Sequence, residues 1–538
     1  MKKIFVLAMA LLATATLPIA AQDTYESAKL MENELNGTAR YVGMGGALDA
    51  LGADLSTIST NPAGIGLFRH STASVSLGVI SQQDAQKFDH LNKTNFSFDQ
   101  IGFVYTSRTG YSSFVNFAIN YHKGRNFDQL LSAANSLRNA SLNKLAYAKY
   151  DKGRVGRGGY CLDWNRDNDL MGYEDETSDY RAQTYSQWDY LMMNAVNAET
   201  GIVDGKDNTT IGFNDADAYS YDRATRGWIS DFDFNISGNI NDRVYLGLTV
   251  GVHDVNYKHY SEYSEGLIMS DGSDAGVVTL ADERKVTGTG YDIKAGIIFR
   301  PVEYSPFRIG FSVSTPTWYS LKSDNYTMLF NNSIVGDFDE GQNGERYEFK
   351  FFTPWKFGLS LGHTIGTQLA LGAGIDYADY SASDARINEG YDYYGEPDSY
   401  SDRVMRDNID RSLKGVTTIR LGAELKPDPQ LAVRVGYNYV SPMYKSDGVR
   451  DMTLDSPGVM YASTADYTNW KATNRITCGI GYKTGGVNID LGYQYSTTNG
   501  TFYPFQPDVT FSGESNVSTP TSVSHKRHQV LLTLGYTF

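Results

Sequence analysis

Beyond residue 71 the chain alternates polar and apolar residues with a period of two over most of its length. One apolar set is Val244, Leu246, Leu248, Val250 and Val252, and the residues between and after them are Tyr245, Gly247, Thr249, Gly251 and His253. Val487, Ile489, Leu491, Tyr493 and Tyr495 oppose Asn488, Asp490, Gly492 and Gln494 in the same way. The chain closes on Val530, Leu532, Leu534, Tyr536 and Phe538 against Thr533, Gly535 and Thr537. A period of two puts successive side chains on opposite faces of a strand. Fourteen segments carry it: 72–80, 99–107, 112–121, 228–239, 243–257, 286–300, 306–320, 347–363, 368–381, 412–425, 430–441, 471–483, 487–498 and 524–538.

The connections between these segments are sorted by length. Short ones centre on Thr109-Gly110, Asn241-Asp242, Pro301 to Tyr304, Ile365-Gly366, Pro427 to Pro429 and Thr484 to Gly486, and they alternate with long ones. Gly, Asn, Asp and Pro at the short sites are the residues that tight turns require. One apolar face per strand, with short turns at one end and long loops at the other, predicts an all-β membrane protein, an antiparallel transmembrane β-barrel of about 14 strands. A soluble sandwich accounts for any single strand but gives no reason to sort loops by end. Tyr536 and the terminal Phe538 resemble the sorting signal that bacterial outer-membrane proteins present to their barrel-assembly machinery.

The N-terminus is consistent with export. Lys2 and Lys3 precede the apolar run Ile4 to Leu12, and small residues follow to Ala20 and Ala21. This is the form of a secretory signal peptide, 1–21, with cleavage expected after Ala21 and no adjacent Cys for a lipid anchor. No later run approaches the roughly 18 apolar residues of a spanning helix, so a closed barrel is the remaining way to satisfy backbone groups in lipid. The 53 Gly, 39 Tyr and 25 Phe suit strands that are apolar on one face and belted by aromatics. A net charge of −15 excludes nucleic acid as a partner and fits acidic loops. Cys161 lies in a long loop and Cys478 on a lipid-facing phase, so no disulfide is expected between them. Charges in the strands fall on the inward phase, at Asp292, Lys294, Arg308, Arg420, Glu424, Arg434, Arg475 and Asp490, where mutual pairing keeps them out of lipid.

Residues 22–71 do not alternate. They run through Ala39-Arg40-Tyr41-Val42-Gly43-Met44-Gly45-Gly46-Ala47-Leu48-Asp49-Ala50-Leu51 to Asn61-Pro62-Ala63-Gly64. A short small-residue helix over about Gly46 to Leu51 and a sharp Asn-Pro turn are expected, with small residues permitting close backbone packing. A dinucleotide loop is the other reading of Gly43 and Gly45, but no strand precedes them and Leu48 stands in place of the third glycine. A glycine- and alanine-rich helix, an acidic residue and then Asn-Pro-Ala-Gly before the first strand resemble the FadL family of outer-membrane long-chain fatty-acid and aromatic-hydrocarbon transporters. The resemblance implies an N-terminal hatch, 22–71, inside a barrel of 72–538, held by a turn at Asn61, Pro62, Ala63 and Gly64. It implies a channel in the bacterial outer membrane for hydrophobic small molecules, a monomer surrounded by lipid, that needs no cofactor. A PorV-like branch that shuttles secreted proteins, and a haem or nutrient receptor, are the rival functions. The distorted third strand that opens the wall in some relatives has no Gly or Pro to cause it between Tyr111 and His122.

The insertion 121–227 carries the remaining chemistry. Phe127, Leu130, Leu131, Ala134, Leu137, Leu142 and Leu145 recur at helical spacing, and Trp188, Tyr190, Leu191, Met192 and Met193 form a second apolar piece. Two helices packed as an external cap are the plain reading. A substrate groove between them, lined by Phe127, Leu130, Leu131, Leu137, Trp188, Leu191 and Met192, is the functional one. Asp163, Asn165, Asp167, Asp169 and Glu174 have the donor spacing of an EF-hand-like calcium loop, although an acidic solvated loop has the same composition. No catalytic constellation is found: there is no Gly-x-Ser-x-Gly, no zinc spacing, and His525 and His528 fall on opposite strand faces. His70 stands alone and reads as a solvated polar side chain rather than a haem ligand. The terminal aromatic gives a first test. Phe538→Ala, or deletion of Phe538, should lower the heat-modifiable folded barrel in outer membranes several-fold; unchanged yields would remove the assembly-signal reading.

Overall fold

A computed structural model describes residues 23–538 except 33, 155–161, 166–169, 174–188, 190, 193–211, 335, 342–344, 392–396, 455 and 510–514. Its strands close into a 14-stranded antiparallel barrel. In chain order they are β1 Thr72–Gln82, β2 Thr94–Arg108, β3 Phe114–Asn126, β4 Asp215–Ile240, β5 Val244–Ile268, β6 Asp274–Phe299 and β7 Arg308–Ser314. The second half is β8 Lys356–Ile365, β9 Leu369–Asp379, β10 Gly415–Leu425, β11 Leu431–Val440, β12 Tyr467–Thr484, β13 Val487–Tyr503 and β14 Thr521–Thr537. Closure is made by β1 on β14, in register from Thr72↔Thr537 to Gln82↔Arg527. Phe538 N–H then donates to Ser71 O at 2.9 Å, and its ring meets Phe103 edge-on at 6.2 Å.

The outer wall is apolar because the alternation demands it. Leu246, Leu248, Val250 and Val252 on β5 and Val530, Leu532, Leu534 and Tyr536 on β14 are all exposed, while Tyr245, Thr249, Gln529 and Thr533 on the opposite phase are buried inside. Exposed Tyr291, Trp355 and Tyr377, with Trp318 packed on Tyr291 at 5.2 Å, mark the external edge of this band. Cys478 is exposed, and Cys161 lies outside the described residues.

Four local expectations are corrected. The segment 306–320 is interrupted after Ser314 and resumes as Trp318–Ser333, and 347–363 is interrupted between Glu345–Phe352 and Lys356; Pro316 and Pro354 occupy the breaks, having no N–H for the ladder. Strands β4 to β6 run to 25 or 26 residues, far past the band, because their alternation continues with charged outward positions. The short helix precedes Gly46–Leu51 and spans Ala39–Gly43 (α2, after α1 at Thr24–Met31), capped by the Thr38 side chain, since Gly45 and Gly46 (φ +63° and +81°) end it. Within the expected helix 127–145, residues Gln129–Ser136 are a strand paired with β4, and helix begins at Leu142. Burial of Leu131, Ala133 and Leu137 with exposure of Ser132 and Ala134 shows that a period of two prevails there over the looser helical spacing.

Strand β3 is bonded to β2 and β4 throughout Phe114–His122, and its register shifts only between Lys123 and Arg125. The external cap is packed through helix α3, Leu142–Arg154, whose first N–H groups meet Glu265: Leu142 N donates at 2.9 Å and Asn143 N at 3.3 Å, with Tyr263 OH at 2.7 Å. Burial pushes the Glu265 carboxyl up to about 7, outweighing those donors. An acid raised on folding stabilises the fold fully below its unfolded pKa of about 4.3 and loses that contribution as pH rises through the folded value. Hydrogen exchange in α3, corrected for intrinsic rates, should therefore quicken between pH 5 and pH 7.5; pH-independent protection would refute a buried, raised Glu265.

Candidate functional site: the N-terminal segment and its chambers

Residues 23–68 run from the external loops toward the first strand through the barrel interior. Helix α1, Thr24–Met31, is capped by Asp23, which accepts from Tyr25 N at 2.9 Å and takes Arg450 at 2.7 Å. Tyr25 stacks on Tyr444 at 5.0 Å, and Glu26 pairs with Arg284 at 2.9 Å. Each partner belongs to a long connection or to the outer reach of a strand, so α1 ties several external elements together.

Deeper in, the backbone of the segment lies directly on the wall. Glycines face inward at matched heights on successive strands. Gly247 of β5 is opposite Gly296 of β6, Gly362, Gly372, Gly422 and Gly436 form a continuous row across β8 to β11, and Gly479 is opposite Gly492. A Cβ on Gly372 would lie 1.9 Å from Ala47 O, and one on Gly436 2.2 Å from Gly45 N. On Gly296 it would lie 2.1 Å from Asn61 Oδ1, and on Gly247 2.3 Å from the Pro62 carbonyl carbon. Glycine is disfavoured inside strands except where another backbone must approach closely. This belt is the negative of the N-terminal segment.

The buried carbonyls of the segment are bonded by wall side chains, as burial requires. Thr477 Oγ1 donates to Gly43 O at 3.2 Å, Arg308 Nη1 to Leu51 O at 3.0 Å, and Thr249 Oγ1 to Ile58 O at 3.0 Å. Ser237 Oγ donates to Pro62 O at 2.9 Å and Asn116 Nδ2 to Ile65 O at 2.6 Å. Ion pairs add to them. Arg420 takes Asp49 at 2.6 Å and also Asp376, while Arg40 takes Glu424 at 3.1 Å, which accepts from Arg434 at 2.6 Å. The inward charges thus pair with the segment as well as with each other.

The Asn-Pro turn is a 3-10 helix, Pro62–Leu67, whose cap is Asn61: its Oδ1 accepts from Ala63 N at 3.2 Å, and Asn61 O accepts from Gly64 N at 2.9 Å. Asn61, Pro62, Ala63 and Gly64 are all buried.

Two chambers flank the segment. One of about 140 Å³ is walled by Tyr25, Tyr257, Tyr444, Tyr467 and Trp470 together with the ion pairs Arg125–Glu32 and Arg527–Glu34. His525 also lines it. The other, of about 210 Å³, exposes a network on β3 to β6. There His253 takes Asp231 at 2.7 Å and Asp292 at 3.3 Å, His122 takes Asp231 at 3.2 Å, and Lys294 lies 3.1 Å from both Asp233 and Asp292.

Of the expected groove residues, Phe127, Leu131, Leu137, Leu191 and Met192 belong to one buried apolar cluster of the cap, and Leu130 joins Leu91 and Ala224 in another. Phe127 is the member that reaches the first chamber; Trp188 lies outside the described residues. Asp163 and Asn165 lie in a strand, Leu162–Asn165, paired with Leu170–Tyr173, and Asp167, Asp169 and Glu174 are outside the described residues. His70 is exposed, and His525 and His528 diverge, toward Trp470 and toward Tyr495. The glycine belt and the His122–Asp231–His253 network were not singled out from sequence. An inward-phase glycine in strand after strand was the signal for the first. Asp231 and Asp233, on the inward phase of β4, were the signal for the second.

No family model matches the chain, and no curated protein does. Solved structures with a similar course include a FadL homologue of Pseudomonas aeruginosa, at 12% identity and TM-score 0.49 over 94% of this chain and 99% of that one. The toluene transporter TbuX of Ralstonia pickettii matches at 12% identity and TM-score 0.46, and the monoaromatic hydrocarbon channel CymD at 10% and 0.47, each with the same coverage.

The belt makes a direct prediction. Gly436→Val puts branched carbons where Gly45 N lies, an overpacking of about 1–3 kcal/mol. It should unseat the segment while the ladder still closes, seen as new protease cleavage within 35–67 at unchanged barrel yield. Equal protection of variant and parent would show that the contact is not close-packed.

Proposed function

We propose that this protein is an outer-membrane channel for hydrophobic small molecules, long-chain fatty acids or aromatic compounds, with residues 22–71 acting as its hatch. The observation that carries the reading is the seat itself: a separate backbone segment fitted to an interior belt of glycines, with a chamber beside it. The resemblance of Ala39 to Gly64 to the FadL family supports the same assignment.

The arrangement suits gating. Barrel stability lies in the closed backbone ladder, so the segment can shift without opening the wall. Its contacts are short-range, hydrogen-bonded and discrete, the kind that exchange between two arrangements. Tyrosine rings and paired charges in the first chamber fit a ligand that is partly apolar and partly polar. Passage then follows the lumen as the hatch moves, with no energy source required. Delivery to the membrane falls to the barrel-assembly machinery, and the working unit is a monomer in lipid.

The test is the turn. Pro62→Gly with Asn61→Ala removes a fixed φ and a capping oxygen. In cells with equal amounts of heat-modifiable barrel, uptake of a labelled long-chain fatty acid or of toluene should change at least three-fold. Unchanged uptake of both, with correctly assembled variant, refutes the hatch; altered surface display of secreted proteins instead would favour a protein-shuttling role.

A further inference from the structure

Glu32, Glu34, Arg125 and Tyr380 line both chambers, so they mark the partition between them. The partition is the chain leaving α1, which crosses the lumen between β9 on one side and β3 and β14 on the other. Just past β9, the Tyr380 hydroxyl donates to Met31 O at 2.5 Å. Across the lumen, Glu34 accepts from Asn126 N at 2.6 Å and pairs with Arg527 of β14. Glu32 pairs with Arg125 of β3. The first chamber lies against the rings of α1 and its external neighbours, and the second reaches Ser59 and Thr60, beside the Asn61 turn. The partition therefore stands between the external side and the hatch.

Its two ion pairs differ. The side chains of Arg527 and Glu34 are 8% and 3% exposed, those of Arg125 and Glu32 18% and 24%. Inside the barrel that exposure is to the chambers. A pair wetted from both sides is weak, because each charge keeps its solvent when the pair parts. Parting a buried pair leaves an uncompensated charge. Glu34 thus holds the chain while Glu32 is free to let go. Arg125 is aimed at this place by a change of phase. Along β3 the even residues Asn116, Ala118, Asn120 and His122 are buried inward, but past the register shift between Lys123 and Arg125 it is Arg125 and Phe127 that line the first chamber. A bulge re-aims side chains in this way. Glycine is required at its centre, since a Cβ on Gly124 would lie 2.1 Å from Asp231 Oδ2. The charge of Glu34 also acts on Arg125, so the guanidinium has a second carboxylate at hand when it leaves Glu32.

We infer that Arg125 and Glu32 form an inner gate. Paired, they separate the chambers; with Arg125 turned to Glu34, the chambers join into one path that ends at the hatch. The molecules it admits are those of the channel, hydrophobic and small. The gate rests on the channel reading above and adds to it a step that precedes any movement of the hatch.

The test uses the purified full-length barrel in detergent, with Cys161→Ser and Cys478→Ser and one reporter thiol, Ser314→Cys, on the wall of the second chamber. The rate at which N-phenylmaleimide, an apolar aromatic probe, labels that thiol reads passage across the partition. Arg125→Gln and Glu32→Gln should each raise the rate at least five-fold. The double variant should be no faster than the faster single one, because the two groups act as one contact. Protease protection of 35–67 should stay as in the parent. Rates equal to the parent's, or a double variant whose increase is the product of the single ones, overturn the gate. New cleavage within 35–67 would make the pair an anchor of the hatch and overturn it too. Should Arg125→Gln fail to assemble, Glu32→Gln alone must raise the rate, or the proposal falls. Labelling needs no transported substrate, so the two readings fail separately. Pair-dependent labelling with uptake unchanged by Pro62→Gly/Asn61→Ala keeps the gate and removes the hatch, and the converse keeps the hatch and removes the gate.

Discussion

Every backbone donor and acceptor at membrane depth must be bonded within the protein, and closure of β14 on β1 is what meets that constraint here. Once the ladder is a ring there is no edge to protect, and each strand needs only one apolar face. The inner face is released from the usual demand for an apolar core. It carries glycines, amides and ions that a soluble sandwich of this size would not tolerate in its centre.

The glycine belt follows from that freedom. Glycine contributes no side-chain packing and weakens a strand on its own, yet here the lost packing is replaced by the backbone of the N-terminal segment. The exchange is specific, because a carbonyl 1.9 Å from a would-be Cβ leaves no room for alanine. Wall side chains then bond the carbonyls of the segment, and Arg420 and Glu424 compensate Asp49 and Arg40. Breaking one such buried pair leaves an uncompensated charge, typically about 3–5 kcal/mol.

Outside the band the strands continue for a different reason. Alternation persists in β4 to β6, but the outward positions change from Val and Leu to Lys, Glu and Tyr, so the sheet rises out of lipid without losing its inner face. That inner face buries the cap, including Phe127, Leu131 and the start of α3, and it roofs the chamber beside α1. Cap and interior seat are thus joined through α1, which touches both.

The barrel, its strand number, its turn ends and the inward charges followed from the sequence alone, because lipid on one side and a lumen on the other impose a strict period of two that local reading detects. The Asn61 turn was legible for a similar reason: Asn-Pro restricts its own backbone. What the glycines of β5 to β13 were for could not be read locally, since their partner is hundreds of residues away and the steric reason for each is another backbone. The strand at Gln129–Ser136 was hidden in the same way, for its apolar residues fit helical spacing until β4 offers a ladder to join. Which charges pair depends on strand register across the sheet, and register exists only once the barrel has closed.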